Sequence, residues 1–145
     1  MTQEQKDLLL KDISARLPYG VKIAMPGLWD NEITIEPLTE IFRGDDNLFR
    51  VNENGHCIEY IKPYLFPLSS MTEEQYNEMQ TISGKDCMEH MEIEKEWRNN
   101  SPFTHLPLYQ HRVIEFFHKY HFDYRGLIPM GLAEDATGKN IYKYE

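Results

Sequence analysis

The sequence predicts an α+β domain: an N-terminal helix, then an antiparallel sheet of three or four strands over about residues 21–66, then two or three C-terminal helices packed on it. Three observations predict it. Apolar residues in the first segment recur at helical spacing. From Val21 to Phe66 the chain alternates apolar and polar residues and is punctuated by Pro, Gly and Asn. From Met71 onward helical spacing returns, with aromatic residues on one side.

Thr2 and Gln5 form a capping-box pair, in which each side chain satisfies a backbone N–H that a helix start leaves orphaned. Leu9 or Leu10, Ile13 and Leu17 then make one apolar stripe, and Pro18 and Gly20 end the helix. Val21 to Met25 reads as a strand closed by the turn Pro26-Gly27. Ile33 to Glu36 alternates cleanly, so Ile33 and Ile35 share a face. Pro37 cannot donate to a ladder, which makes this strand an edge, a bulge or a bend. Ile41 to Arg43 resumes it. Leu48 to Val51 and Cys57 to Ile61 flank Asn52-Glu53-Asn54-Gly55, a hairpin signal because Asn-Gly tolerates positive φ. Lys62 to Pro67 reads as an extended exit from the sheet, since each Pro biases its predecessor away from helix.

The second helix starts at Thr72, with Gln75 completing a capping box and Met71 stapling onto Tyr76. Tyr76, Met79 and Ile82 share its apolar face, and Ser83-Gly84 ends it. Residues 85–98 are acidic and only loosely periodic, and read as a further helix. Another runs over about 106–120, with Tyr109, Val113, Phe116, Phe117 and Tyr120 on its core side. After it, Gly126 suits a left-handed cap, Arg125 is placed to meet the last carbonyls, and Leu127 and Ile128 fold back on the core.

At 145 residues the chain matches the commonest domain size, so one domain over 1–145 is expected, with enough apolar residues (41%) for a self-sufficient core. The formal net charge of −9 and the scattered Lys and Arg disfavour direct binding to nucleic acid or anionic lipid. Two cysteines, Cys57 and Cys87, are too few for a disulfide framework. The polar N-terminus has no signal-peptide pattern, and no apolar run is long enough to span a membrane. A cytoplasmic protein with free thiols is the expectation.

His111, Glu115 and His118 fall at helical spacing and could line one stripe that holds a divalent metal. The stripe lies opposite Val113, Phe116 and Tyr120, so it reads as a solvated face. Glu115-x-x-His118 matches half a di-iron motif, but its only counterpart, Glu53 to His56, falls on a hairpin turn. Cys87-x-x-His90 with His56-Cys57 makes a weak zinc set. Gly131 to Lys139 has the wrong glycine spacing for a phosphate loop, with Asn140 where a hydroxyl is required. No nucleophile elbow, dinucleotide fingerprint or kinase set is present. Thus no catalytic residue, metal or cofactor is predicted.

Three stretches stand apart: Leu17-Pro18-Tyr19-Gly20-Val21-Lys22; Lys62 to Glu74, with its Lys-Pro-Tyr-Leu-Phe-Pro-Leu-Ser-Ser-Met-Thr-Glu-Glu run; and Phe122-Asp123-Tyr124-Arg125-Gly126-Leu127-Ile128 continuing to Gly131-Leu132-Ala133. Together they resemble, over the whole chain, a family of small uncharacterised proteins from gut Bacteroidetes and their phages or integrated elements. The resemblance implies a bacterial cytoplasm and a mobile-element setting, and brings no activity or cofactor. The family carries Trp-Leu-Asn where this sequence has Phe116-Phe117-His118, which further weakens His118 as a ligand.

Three functions follow as alternatives. The favoured one is a non-enzymatic protein-binding or accessory protein whose partner is another protein, with Tyr124 and Arg125 as a candidate recognition patch because loop aromatics and Arg are common hot spots. The second is a metal protein or small enzyme using the helix histidines. The third is an acidic mimic of nucleic acid, suggested by the charge and the 85–98 run. The sequence leaves the oligomeric state open.

Overall fold

A computed structural model describes residues 1–27, 32–83 and 111–142. The protein has mixed helix and strand, opening on α1 (Gln3–Arg16) and carrying the helices α2 (Glu73–Ser83) and α3 (His111–Lys119) in its second half. The start expected for α3, and the helix expected at 85–98, lie outside the described residues.

The α1 capping box forms in both directions, with Gln5 N–H donating to Thr2 Oγ1 at 3.1 Å and Thr2 N–H to Gln5 Oε1 at 3.0 Å. Leu9 and Ile13 are fully buried, as the stripe predicts. A 3₁₀ turn at Leu17–Tyr19 follows, and Gly20, at φ +69°, makes the left-handed exit. The box at Thr72 is equally complete, and Met71 and Tyr76 are both buried in one cluster with Met79.

The strands depart from one antiparallel sheet. β1 (Lys22–Pro26) pairs antiparallel with β2 (Ile33–Pro37) on one side and with the start of β6 (Lys62–Pro67) on the other. β7 (Phe122–Asp123) and β8 (Glu134–Asp135) then add parallel to β6, so the sheet is mixed, in the order β2-β1-β6-β7 with β8 also on β6. The segment expected to be an exit is therefore the shared strand. Its two prolines lack N–H donors, and its other residues carry the ladder: Phe66 N–H donates to His121 O at 2.8 Å, and Leu65 O accepts from Ala136 N–H at 2.8 Å.

β3 (Ile41–Arg43), β4 (Phe49–Val51) and β5 (His56–Cys57) form a separate antiparallel meander instead of resuming β2. The corner that diverts the chain is held by Asn52. Its Oδ1 accepts from Thr39 N–H (2.8 Å) and Thr39 Oγ1 (3.1 Å), and its Nδ2 donates to Pro37 O (2.9 Å). The turn 52–55 puts positive φ at Asn52 (+57°) and Gly55 (+66°), not at the Asn54-Gly55 pair the sequence suggested. Asn is among the few side-chain residues that tolerate this conformation. Asn52→Ala is expected to lose about 2–4 kcal/mol, because left-handed strain adds to buried groups left without partners. Asn52→Gly, which loses the same hydrogen bonds but adopts the left-handed conformation without strain, should lose less; equal losses in urea unfolding would contradict this division.

The core has three parts. One lies between α1, the meander and Leu127–Ala133; a second, rich in aromatics, joins α2, α3 and Phe122; a small third gathers Ala24, Tyr64, Ala136 and Ile141. Near the end of the described residues, Tyr142 is tied down. Tyr142 donates to Tyr64 O at 2.7 Å, accepts from Lys22 N–H at 2.8 Å and stacks on His121 with centroids 3.8 Å apart.

Candidate functional site

Two features concentrate chemistry among the described residues: a buried polar cluster around Tyr124, and the outer edge of β2.

The cluster begins on α1. Leu9, Asp12, Ile13 and Arg16 follow the i, i+3, i+4, i+7 rhythm of a buried helix face, so two opposite charges lie inside the apolar stripe. Both are fully buried, at 0% exposure. Arg16 Nε donates to Asp12 Oδ2 at 2.7 Å, and Arg16 Nη2 to Phe122 O at 2.6 Å. Arg125 Nε reaches the other oxygen, Asp12 Oδ1, at 3.1 Å, while its Nη2 donates to Tyr124 Oη at 3.0 Å. Tyr124 Oη lies 2.8 Å from His118 Nε2. Arg125 can only donate, so His118 Nε2 is the acceptor within reach of the tyrosine proton, an arrangement that calls for the neutral ring protonated on Nδ1. Arg16 Nη1 is buried with no hydrogen-bond partner, and its guanidinium lies 5.3 Å from the Tyr124 ring centroid, a cation–π contact that offsets part of the cost.

Beside it, Asp123 closes the Tyr124-Arg125-Gly126 turn: its two oxygens accept from Leu127 and Ile128 N–H, each at 2.9 Å. Burial raises the Asp123 carboxyl above its ordinary range, opposed by those two amides and Arg16. Burial, reinforced by Arg16, lowers His118 to about 4 and His121 to about 3. Burial also raises the Tyr124 hydroxyl.

These contacts relocate the residues singled out in the sequence. Tyr124 is 2% exposed and stacked on Phe117, while Arg125 is half-buried and held by Asp12, so of the two candidate patch residues the tyrosine faces inward. Arg125 meets a carboxylate, not helix carbonyls, and Gly126 (φ +76°) follows β7 instead of capping α3. His118, expected on the solvated face, is 5% exposed: Tyr19 packs over it at 5.4 Å and Tyr124 beneath it at 5.5 Å. Glu115 remains exposed, so the structure separates it from His118; the side chain of His111 is outside the described set. Among the described residues no three His, Cys, Asp or Glu are grouped to hold a metal. Cys57 is a half-buried free thiol; Cys87 and His90 lie outside the described residues. A cleft of about 410 Å³ opens nearby, lined by Tyr19, Glu78, Arg112, Glu115, Phe116 and Lys119. None of Asp12, Arg16, His118, Tyr124 or Arg125 lines it. The cluster therefore joins α1 to the Tyr124 turn and presents no group to a ligand there.

The second feature faces outward. Gly27 N–H donates to Glu32 O and Leu38 N–H to Val21 O, each at 2.8 Å, so even-numbered residues of this stretch point their backbone groups at β1. Alternation then directs the N–H and C=O of Ile33 and Ile35 to the free edge. Their side chains are exposed too, at 63% and 48%, although Ala24 opposite Ile35 is buried. The sequence places both isoleucines on one face, and Pro37 makes their strand an edge, a bulge or a bend; the sheet order makes it an edge.

No described helix is long and apolar enough to cross a membrane. No family model matches this chain, and no curated protein or solved structure matches it either.

Proposed function

We propose that this chain is a non-enzymatic protein-binding or accessory protein, working in the bacterial or mobile-element setting that the sequence resemblance implies, and that it meets its protein partner along the outer edge of β2. One observation carries the reading: Ile33 and Ile35 expose apolar side chains and unpaired backbone groups on the same edge. An exposed edge strand is a template for another strand, and proteins ordinarily cover or blunt it. An extended segment adding there gains main-chain hydrogen bonds and buries both isoleucines. Asp12, Arg16, His118, Tyr124 and Arg125, by contrast, are bonded to one another inside the protein.

The test is a photo-cross-linking residue at position 33 of the full chain, in the cell that makes it, with the same residue at the equally exposed Tyr60 as control. A discrete adduct at 33 that Ile35→Lys abolishes is expected. Adducts no more abundant than those at 60 would refute the reading.

A further inference from the structure

The edge of β2 also says what kind of strand it takes; this inference rests on the binding reading above. Glu32, Thr34 and Glu36 alternate with Ile33 and Ile35, so the carboxylates flank the free edge on one face of the sheet and the isoleucines occupy the other. A second copy running antiparallel would satisfy every free backbone group of both strands by placing Ile33 of each copy opposite Ile35 of the other. That register sets Thr34 against itself and Glu36 of each copy against Glu32 of the other. Like charges directly opposed destabilise a strand pair, and the net charge of −9 on each copy adds to the repulsion. The register centred on Ile35 is no escape. It calls on Pro37, which has no N–H and whose carbonyl already accepts from Asn52 Nδ2 at 2.9 Å. In both of these registers the edge disfavours its own copy while leaving two apolar side chains uncovered.

We infer that the occupant is an extended segment of a different protein, with Lys or Arg at both ends of a five-residue core and apolar side chains at its second and fourth positions. The cations face Glu32 and Glu36, the apolar pair covers Ile33 and Ile35, and the central residue lies across Thr34. Charge supplies selectivity, and the four main-chain groups supply the pairing.

Two synthetic peptides test this on the isotope-labelled full chain: one with the core Lys-Val-Thr-Val-Lys, the other with Glu in place of each Lys. The cationic peptide should slow amide exchange at Ile33 and Ile35 by at least about tenfold more than the anionic one, since two charge pairs change sign. Glu32→Lys/Glu36→Lys should reverse that preference. In sedimentation, Glu36→Lys alone should dimerise, because each new Lys faces Glu32 of the other copy, while the native chain and the double variant stay monomeric. Equal protection by both peptides, protection by neither, or a native chain that dimerises as readily as Glu36→Lys would overturn the inference. If the adduct at position 33 persists in that case, only the strand chemistry falls; if the adduct is missing as well, the binding reading falls with it.

Discussion

Asp12→Ala should lower the unfolding free energy by about 3–5 kcal/mol, the cost of leaving a buried charge without its counter-ion. The size follows from position. Arg16 has 0% exposure and keeps only Phe122 O as a hydrogen-bond acceptor once the carboxylate is gone. Arg125 loses the same partner but is less buried and can turn toward water. A second substitution separates charge from packing. In Asp12→Leu/Arg16→Met both charges leave and volume is largely kept, so much of the loss should be recovered, as happens when buried ion pairs give way to apolar residues. Urea unfolding of native, single and double variants reads this directly. A single variant within about 1 kcal/mol of the native protein, the value of an exposed pair, would show that water reaches the cluster.

Acid should destabilise the protein from about pH 6.5 downward. His118 and His121 stay neutral in the fold down to about 4 and about 3, whereas a histidine in the unfolded chain takes up its proton near 6.5. Above that pH the two states bind equal numbers of protons there and the histidines contribute no pH dependence. Below it the unfolded chain gains protons that the folded chain refuses. Stability then falls by about 1.4 kcal/mol per pH unit for each histidine, until the folded group titrates in turn. Asp123 works in the opposite sense. Its raised carboxyl costs stability near neutrality, and that cost disappears as the pH drops through its folded value. Urea midpoints should therefore drop steeply between pH 6.5 and 4.5, and His118→Phe/His121→Asn should flatten the slope, Asn being chosen because residue 121 has φ +61°. A native profile that is flat over this range would contradict the burial of both rings.

Local signals in the sequence carried a good part of this structure. The two capping boxes, the Gly20 exit and the face Leu9–Ile13 are short-range devices whose residues meet within one or two turns of chain. What stayed hidden is long-range. Nothing local distinguishes Lys62–Pro67 as a shared central strand, because the strands that make it central arrive from residues 122–123 and 134–135. Two prolines argued for an exit, and the ladder avoids their missing donors. His118 sits well off the most buried line of α3, and it is buried by Tyr19 and Tyr124, which no periodicity of that helix contains. The Asp12–Arg16 pair was nearer to hand. Two opposite charges four apart on an otherwise apolar stripe are either an error in the stripe or a buried pair, and deciding between them required the carboxylate's second donor, Arg125, from the far end of the chain. The Tyr124-Arg125 motif was conspicuous because it completes that cluster, and the edge proposed above for partner binding lies on a plainer strand.

A bonded interior beside a strand edge that is unpaired among the described residues makes a residue-by-residue statement about amide exchange in a dilute solution of the native chain. Phe66 and Leu127, bonded to His121 O and to the Asp123 carboxyl, should exchange only through large-scale unfolding. Along β2 the rates should alternate, with Thr34 and Glu36 protected by β1 and Ile33 and Ile35 exchanging close to the rate of an open chain. Uniform protection from residue 33 to 36, or a Leu127 amide as fast as that of Ile33, would contradict it.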